Sequence, residues 1–335
     1  MSFPLIISIK SSQISKFERE NIRKFKPFGV ILFKRNILNL NQTKKLIKSI
    51  KSLHPKIHIL IDQEGGIVNR FPKLNEFNFF DNFDYYQTYL KYPSLAKQLV
   101  YLKSFITSYH LSEMGFDINT IPVLDIPNSK TISMIKKRTF GSDLDISIKL
   151  NEIFANTSIF MGIAPVMKHI PGHGLTSKDS HLSLPKVSSS LKILQNQLKL
   201  FQHFKHLPYA MTAHIKYEKW DNENMATYSN SIIQKIIRQQ IKFRGLIMSD
   251  DMTMKANQYG IQESIIKCNQ SGVDIFLDCS SDWGRYLEVI KSFKITSRYK
   301  NSLKINKAKG KVDLKSINII QYHDLYNELI KLYGI

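Results

Sequence analysis

Cysteine is almost absent from this chain of 335 residues, which holds only Cys268 and Cys279. Two cysteines build no disulfide framework at this length, and a reducing compartment suits them. Long apolar runs are missing as well, with no uncharged stretch near the ~18 residues that a membrane-crossing helix needs. The first apolar run, residues 5–9, has no basic segment before it and no small-residue cleavage site after it. It reads as a first strand and not as a signal peptide, so a cytoplasmic protein is expected. Glycine- or proline-rich linkers and low-complexity blocks are also lacking, and nothing marks a domain boundary. Acidic residues are few: 27 Asp and Glu stand against 48 Lys and Arg, a net charge of +21. Such an excess can serve nucleic acid or an anionic membrane. Here the lysines are scattered, as in Lys44, Lys45, Lys48 and Lys51, and again in Lys294, Lys300, Lys304, Lys307 and Lys309. No recognition helix, zinc-finger spacing or aromatic RNA-binding signature accompanies them. They read as solvated faces, with no specific nucleic-acid partner and no membrane.

What is present is an apolar content of 43%, ample for a large core. Length alone would allow two domains of ~150 residues. One α/β barrel is the alternative, because such barrels run to ~250 residues or more as a single unit. The pattern favours the barrel. Short β-branched runs fall at 5–9, 29–33, 57–61, 118–124, 164–170, 210–215, 245–249 and 274–278. Stretches with helical spacing lie between them, for example 40–53, 95–114, 146–161, 232–241 and 263–271. Strand followed by helix, eight times, predicts an α/β fold: a single (β/α)₈ barrel of the TIM type, with residues 1–335 as one domain. The amphipathic stretch 322–332 is an extra helix on the outside. The Lys- and Ser-rich segment 295–315 is a surface connection.

Polar residues interrupt the apolar runs at their C-terminal ends, the rim where barrels of this kind build active sites. Three constellations stand out. Asp62-Gln63-Glu64-Gly65-Gly66 ends a run in acids followed by a glycine turn, and Arg70 could grip a carboxylate through two N–H groups. Lys168-His169-Ile170-Pro171-Gly172-His173-Gly174 breaks from strand into loop and leads to Asp179-Ser180-His181. Asp179 and His181 can share one face, letting the carboxylate fix the imidazole tautomer and raise its basicity. Ser249-Asp250-Asp251-Met252 delivers two acids from a buried run. Asp250 is a candidate nucleophile, and Asp251 fits the cap of a helix over 252–258. Asp125 and His214 end two further runs.

These motifs resemble the glycoside hydrolase family 3 β-N-acetylhexosaminidases of the bacterial NagZ type. The likeness runs from about residue 29 to about residue 279. It is carried by the segments just quoted, by 119–125 (Asn-Thr-Ile-Pro-Val-Leu-Asp), by Arg138-Thr139-Phe140-Gly141 and by Met211-Thr212-Ala213-His214. The run 168–181 is its most specific part. The resemblance implies Asp250 as nucleophile and His181 as general acid/base on a mobile loop, with Asp179 as its partner. Asp62 would grip sugar hydroxyls, and Arg70, Arg138, Lys168 and His169 would bind the same ring. It also implies one barrel, no metal, no cofactor and release of N-acetylglucosamine from 1,6-anhydro-muropeptides in peptidoglycan recycling. Thr139 stands where the family usually has Ser, and Met252 where it has Leu. A monomer is the working expectation.

The chemistry divides protonation states. Asp250 must be ionised to attack, as a reference pKa of ~4 allows, whereas His181 with ~6.5 can deliver a proton and later activate water. Two displacements at one carbon return the β-anomer. Rivals remain. The histidines at 169, 173, 181 and 214 could serve a metal-dependent hydrolase, although no tight H-x-H pair occurs. A histidine acid/base does not repel phosphate, which leaves a phosphorylase open. The charge could suit a non-catalytic sugar or nucleic-acid binder, but the intact Asp250, Asp179 and His181 speak for catalysis. His173 and Glu64 are the reserve candidates for the acid.

Overall fold

The computed structural model describes residues 2–180, 182–302 and 312–334. Eight parallel strands form the barrel: β1 Phe3–Ser8, β2 Pro27–Leu32, β3 His58–Ile61, β4 Ile118–Asn119, β5 Ala164–Ile170, β7 Tyr209–Thr212, β9 Leu246–Met248 and β10 Phe276–Leu277. Their order is β10-β1-β2-β3-β4-β5-β7-β9. A parallel bridge between Met248 and Ile275 joins the two ends. Two short strands, β6 Lys186–Val187 and β8 Lys216–Tyr217, pair with each other outside the barrel. Strands covered on both faces read as continuous apolar runs, which is why the sequence pattern locates them. Ile6, Ile31, Leu60, Ile118, Val166, Met211, Met248 and Leu277 fill the interior. Leu5, Ile7, Val30, Ile59, Ile61, Met167 and Ile247 point the other way, into the layer beneath the helices.

The helices are α1 Lys16–Phe25, α2 Leu40–Lys51, α3 Asn82–Lys91, α4 Pro93–Met114, α5 Ser133–Lys137, α6 Leu144–Phe160, α7 Leu191–His203, a π-helix Ile232–Gln240, α8 Ile261–Ser271, α9 Trp283–Ser292, α10 Ser297–Ser302 and α11 Ile319–Tyr333. Tyr299 of α10 plugs the N-terminal end of the barrel, its hydroxyl donating to the Ser2 carbonyl at 3.1 Å. The expected extra helix is α11. It lies on α4, with Tyr322 stacked on Phe105 at 4.2 Å and the Tyr326 and Tyr85 hydroxyls 2.6 Å apart.

Three local expectations fail. The segment 295–315, expected as a surface connection, carries in its described part helix α10 and the buried Tyr299, because that ring fills the open end of the barrel. The run 118–124 pairs as a strand only over Ile118–Asn119, because Pro122 has no N–H to donate. Around it the chain still follows β5, with the Ile121 carbonyl accepting from Val166 N at 2.7 Å, the Pro122 carbonyl from Lys168 N at 3.0 Å, and Leu124 N donating to the Lys168 carbonyl at 2.7 Å. No helix follows Asp251. Residues 252–258 form turns, and helix resumes at Ile261. Among the described residues, no helix is long and apolar enough to cross a membrane.

Candidate active site

The turn after β3 is built by its glycines. Gly65 and Gly66 have φ of 81° and 59°, where only glycine is free of strain. A Cβ on Gly66 would lie 2.3 Å from Asp81 Oδ1. The tight turn folds the acids of 62–64 over the barrel mouth. Asn119 clamps it from β4, accepting from Gln63 N and donating to Gln63 O, both at 2.9 Å.

Glu64 is the hub of the charged cluster that results. Arg138 donates to it through Nε at 2.9 Å and Nη2 at 2.8 Å, and Lys168 Nζ approaches at 2.7 Å. Lys168 also contacts Thr120 Oγ1 at 2.8 Å and Asp62 Oδ1 at 3.5 Å. Asp62 receives one N–H of Arg70 at 2.8 Å and the Thr120 hydroxyl. The two-pronged grip expected of Arg70 is therefore absent. Its Nε is buried without a partner, and the two-pronged pair is Arg138–Glu64. Lys168, only 2% exposed, is a buried cation and not a rim group.

Burial pushes both acids up, and the cations more than reverse it. Arg138 and Lys168 hold Glu64 at about 2, and Lys168, Arg70 and the Thr120 hydroxyl hold Asp62 far below the carboxylate range. Glu64 is thus excluded as a general acid. Its folded value lies below its ordinary 4.5, so its stabilisation is fully present above that pH and fades as pH falls toward 2. The gap corresponds to roughly 3 kcal/mol. We expect Glu64→Gln to be much less stable than the parent at pH 7, with the difference shrinking by pH 3. Urea unfolding at the two pH values checks this, and a pH-independent difference would contradict it.

Asp125, buried at 1% exposure, organises the loop that leaves β5. Its carboxylate accepts from the backbone N–H groups of His169 at 3.2 Å and His173 at 2.6 Å, and from His169 Nδ1 at 2.8 Å. That fixes the tautomer: Nδ1 carries the proton, and Nε2 accepts from Arg138 Nη2 at 3.3 Å. His173 lies between Thr176 Oγ1 and Ser180 Oγ, each at 3.1 Å. Burial, with the neighbouring His169, pushes it down to about 4. It braces the loop and is not the reserve acid. Gly174 packs so closely that a Cβ would sit 2.1 Å from the Ile126 carbonyl oxygen. Ser180 O accepts from Ala256 N at 3.1 Å, tying the loop to the segment after β9. Asp179 lies on this loop, and its carbonyl accepts from Leu182 N at 3.0 Å. His181 lies outside the described residues.

Across the mouth, the β9 end carries Asp250 and Asp251, which differ in what holds them. Asp251 accepts from Thr253 N at 3.0 Å, Thr253 Oγ1 at 2.6 Å and Cys279 N at 3.0 Å. These bonds form a turn in place of the expected helix cap. Asp250 is half-buried at the mouth and accepts from Asp251 N at 2.8 Å. His214 lies wholly buried beneath, against Thr227 Oγ1 at 2.8 Å and the Asp251 carbonyl at 3.2 Å. Burial lowers its pKa, so it is a neutral brace for the Asp250–Asp251 segment.

In the strand order β9 stands opposite β3, so Asp250 and the acids of the 62–64 turn leave the barrel on opposite sides of one mouth, with Lys168 and His169 at the end of β5 between them. The model of the glycosyl hydrolase family 3 N-terminal domain matches residues 5–308. The chain belongs to that family. Among curated relatives, the β-hexosaminidase of Shewanella frigidimarina is 32% identical over 294 residues, covering 84% of this chain and 83% of the relative. That of Haemophilus ducreyi is 32% identical over 288 residues, covering 84% and 82%. Among solved structures, native NagZ from Neisseria gonorrhoeae is 27% identical with a TM-score of 0.87, and 98% of each chain is covered. Its complex with N-trifluoroacetyl-D-glucosamine gives 25% identity and a TM-score of 0.86 over the same shares.

In this family 3 barrel the structure brings Asp62, Arg70, Arg138, Lys168 and His169 into one network. Glu64 as hub where the sequence offered it only as a reserve acid, Thr120, and the bracing roles of Asp125 and His214, which the sequence noted only as strand-end residues, are what sequence reasoning missed. All four lie inside the segments that carry the family likeness, which was the available signal. The Thr139 hydroxyl, kept where the family usually has Ser, donates to the Lys136 carbonyl at 2.9 Å in the turn that presents Arg138.

Proposed function

We propose that this chain is a retaining β-N-acetylglucosaminidase that removes terminal β-linked N-acetylglucosamine from peptidoglycan-derived 1,6-anhydro-muropeptides in the cytoplasm, as part of cell-wall recycling. The coarser statement rests on family and relatives: it is a glycoside hydrolase of the β-N-acetylhexosaminidase kind, acting on small carbohydrate substrates. The observation that carries the finer reading is a half-buried carboxylate, Asp250, facing a clamp of fixed donors and acceptors across one mouth. Such a clamp suits a single sugar ring whose hydroxyls both give and take hydrogen bonds. Asp62 and His169 Nε2 accept, and Arg70, Arg138 and Lys168 donate.

In this reading Asp250 attacks the anomeric carbon while His181 protonates the leaving oxygen. His181, deprotonated, then draws a proton from water, which displaces Asp250 and restores the β configuration. Asp179 orients the imidazole. The pinning of Ser180 to Ala256 supports this, because it ties the acid's loop to the nucleophile's side of the mouth. Residues 1–335 act as one catalytic domain in this account. Among the described residues, no three of His, Cys, Asp or Glu are grouped to hold a metal ion.

Release of 4-nitrophenol from its β-N-acetylglucosaminide tests the reading. Turnover should be indifferent to EDTA and yield free sugar in phosphate buffer. Sugar 1-phosphate as product would make the enzyme a phosphorylase. A muropeptide disaccharide should be cleaved with higher kcat/KM than chitobiose, and the reverse preference would remove the recycling role. We further expect Arg138→Ala and Lys168→Ala to raise KM more than they lower kcat, because in this reading both hold the ring through hydrogen bonds and neither bonds to the reacting carbon. Steady-state kinetics check this, and a loss confined to kcat would reveal a transition-state role.

A further inference from the structure

Helix α4 carries a lysine with no place on a solvated face. Lys103 is 0% exposed. Its ammonium donates to Asn82 Oδ1 at 2.6 Å and the Phe80 carbonyl at 3.4 Å, and lies over the rings of Tyr85 at 4.9 Å and Phe154 at 5.5 Å. Its partners are neutral oxygens and ring faces, an unusual setting for a buried cation.

Its position relates it to Arg138. The Arg138 side chain is held by Glu64, which the Gly65–Gly66 turn presents. The Arg138 carbonyl is held by Asn82 Nδ2 at 2.8 Å. Lys103 touches both supports. A Cβ on Gly65 would lie 2.6 Å from Lys103 Cε and 2.9 Å from its Nζ, so the turn is seated directly on the lysine. On the other side, Lys103 fixes which end of the Asn82 amide faces Arg138, since the ammonium needs the oxygen and the carbonyl needs the NH₂.

We propose that Lys103 is a positioning residue for sugar binding, one buried ammonium that braces both supports of Arg138 from behind the site. The inference rests on Arg138 being a sugar-binding group, as set out above. It makes binding depend on the charge of a residue that no substrate reaches. Burial draws Lys103 down to about 7 even though Glu64 from the β3 turn and Asp81 and Asp84 from the start of α3 favour its charged form. Lys137 of α5, 3.5 Å from Asp81, offsets part of that negative charge. Lys103 therefore loses its proton as pH rises through neutrality, and the hold on Asn82 and the turn weakens.

The test compares Lys103→Met, Asn82→Ala, the double variant and Arg138→Ala, reading KM, kcat and affinity for N-acetylglucosamine from pH 6 to 8.5. Lys103→Met keeps the apolar stem and removes the ammonium, and Asn82→Ala cuts the same link elsewhere if that variant fails to fold. Each should raise KM about tenfold with a smaller change in kcat, and the double variant should be no worse than either alone. The parent's affinity should fall as pH passes about 7, and Lys103→Met should lose that dependence. Additive effects, or unchanged KM in Asn82→Ala beside a raised KM in Arg138→Ala, would overturn the inference. Unchanged KM in Arg138→Ala would instead remove the sugar-site reading beneath it.

Discussion

Asp250→Ala is expected to lower kcat on the order of 10⁴-fold or more while leaving the barrel folded, because covalent catalysis loses its only attacking atom. The fold should survive because the turn after β9 is tied by Asp251, through Thr253 and Cys279, with His214 bracing its backbone. Azide offers a sharper check. In the space vacated by the carboxylate it can displace an activated leaving group from the opposite face, and one displacement inverts the centre. An α-glycosyl azide is the expected product, whereas unchanged β product would mean that Asp250 never bonds to the sugar.

His181→Ala should separate substrates by leaving group. General acid catalysis is worth about 10²–10⁴-fold, and only a poor leaving oxygen needs it. Natural disaccharides should lose that factor, and aryl glycosides with acidic leaving groups should lose far less, their residual defect lying in water activation. The alkaline limb of the pH–rate profile should flatten, since the group that deprotonates there is gone. Asp179→Ala should follow the same pattern more weakly, because it orients the imidazole and transfers no proton. Equal losses on both substrate types with unmoved pH limbs would make His181 a structural or sugar-binding residue. Neither reserve acid could then take over as it stands, with Glu64 held at about 2 and His173 pushed down to about 4.

The barrel was legible in the sequence because every strand of a parallel barrel is buried on both faces and so writes itself as an apolar run. Where a run misled, a local event explains it. Pro122 takes one donor out of the ladder and cuts β4 short, and the Asp251 carboxylate gathers Thr253 and Cys279 into a turn where a helix was expected. The polar residues of the mouth were legible as interruptions at strand ends, but their division of labour was not. Glu64 acts on Arg138, 74 positions away in sequence, and Asn82 on the Arg138 backbone 56 away, so no local spacing encodes either link. Lys103 is the extreme case. In a helical stretch a lysine reads as solvated, and only the arrival of Tyr85 and Phe154 from α3 and α6 encloses it.

The central claim is that a β-linked N-acetylglucosamine is released through a covalent bond to Asp250. A 5-fluoro N-acetylglucosaminyl fluoride slows both displacements but leaves with fluoride in the first, so the glycosyl-enzyme accumulates. Peptide mass spectrometry after such trapping measures the claim directly. One sugar per chain is expected, on the peptide containing residues 249–252, with fragmentation placing it on Asp250 and release on transfer to an acceptor. A label on Asp251 or Asp62, or complete turnover of the reagent with no adduct and an α-configured product, would contradict it.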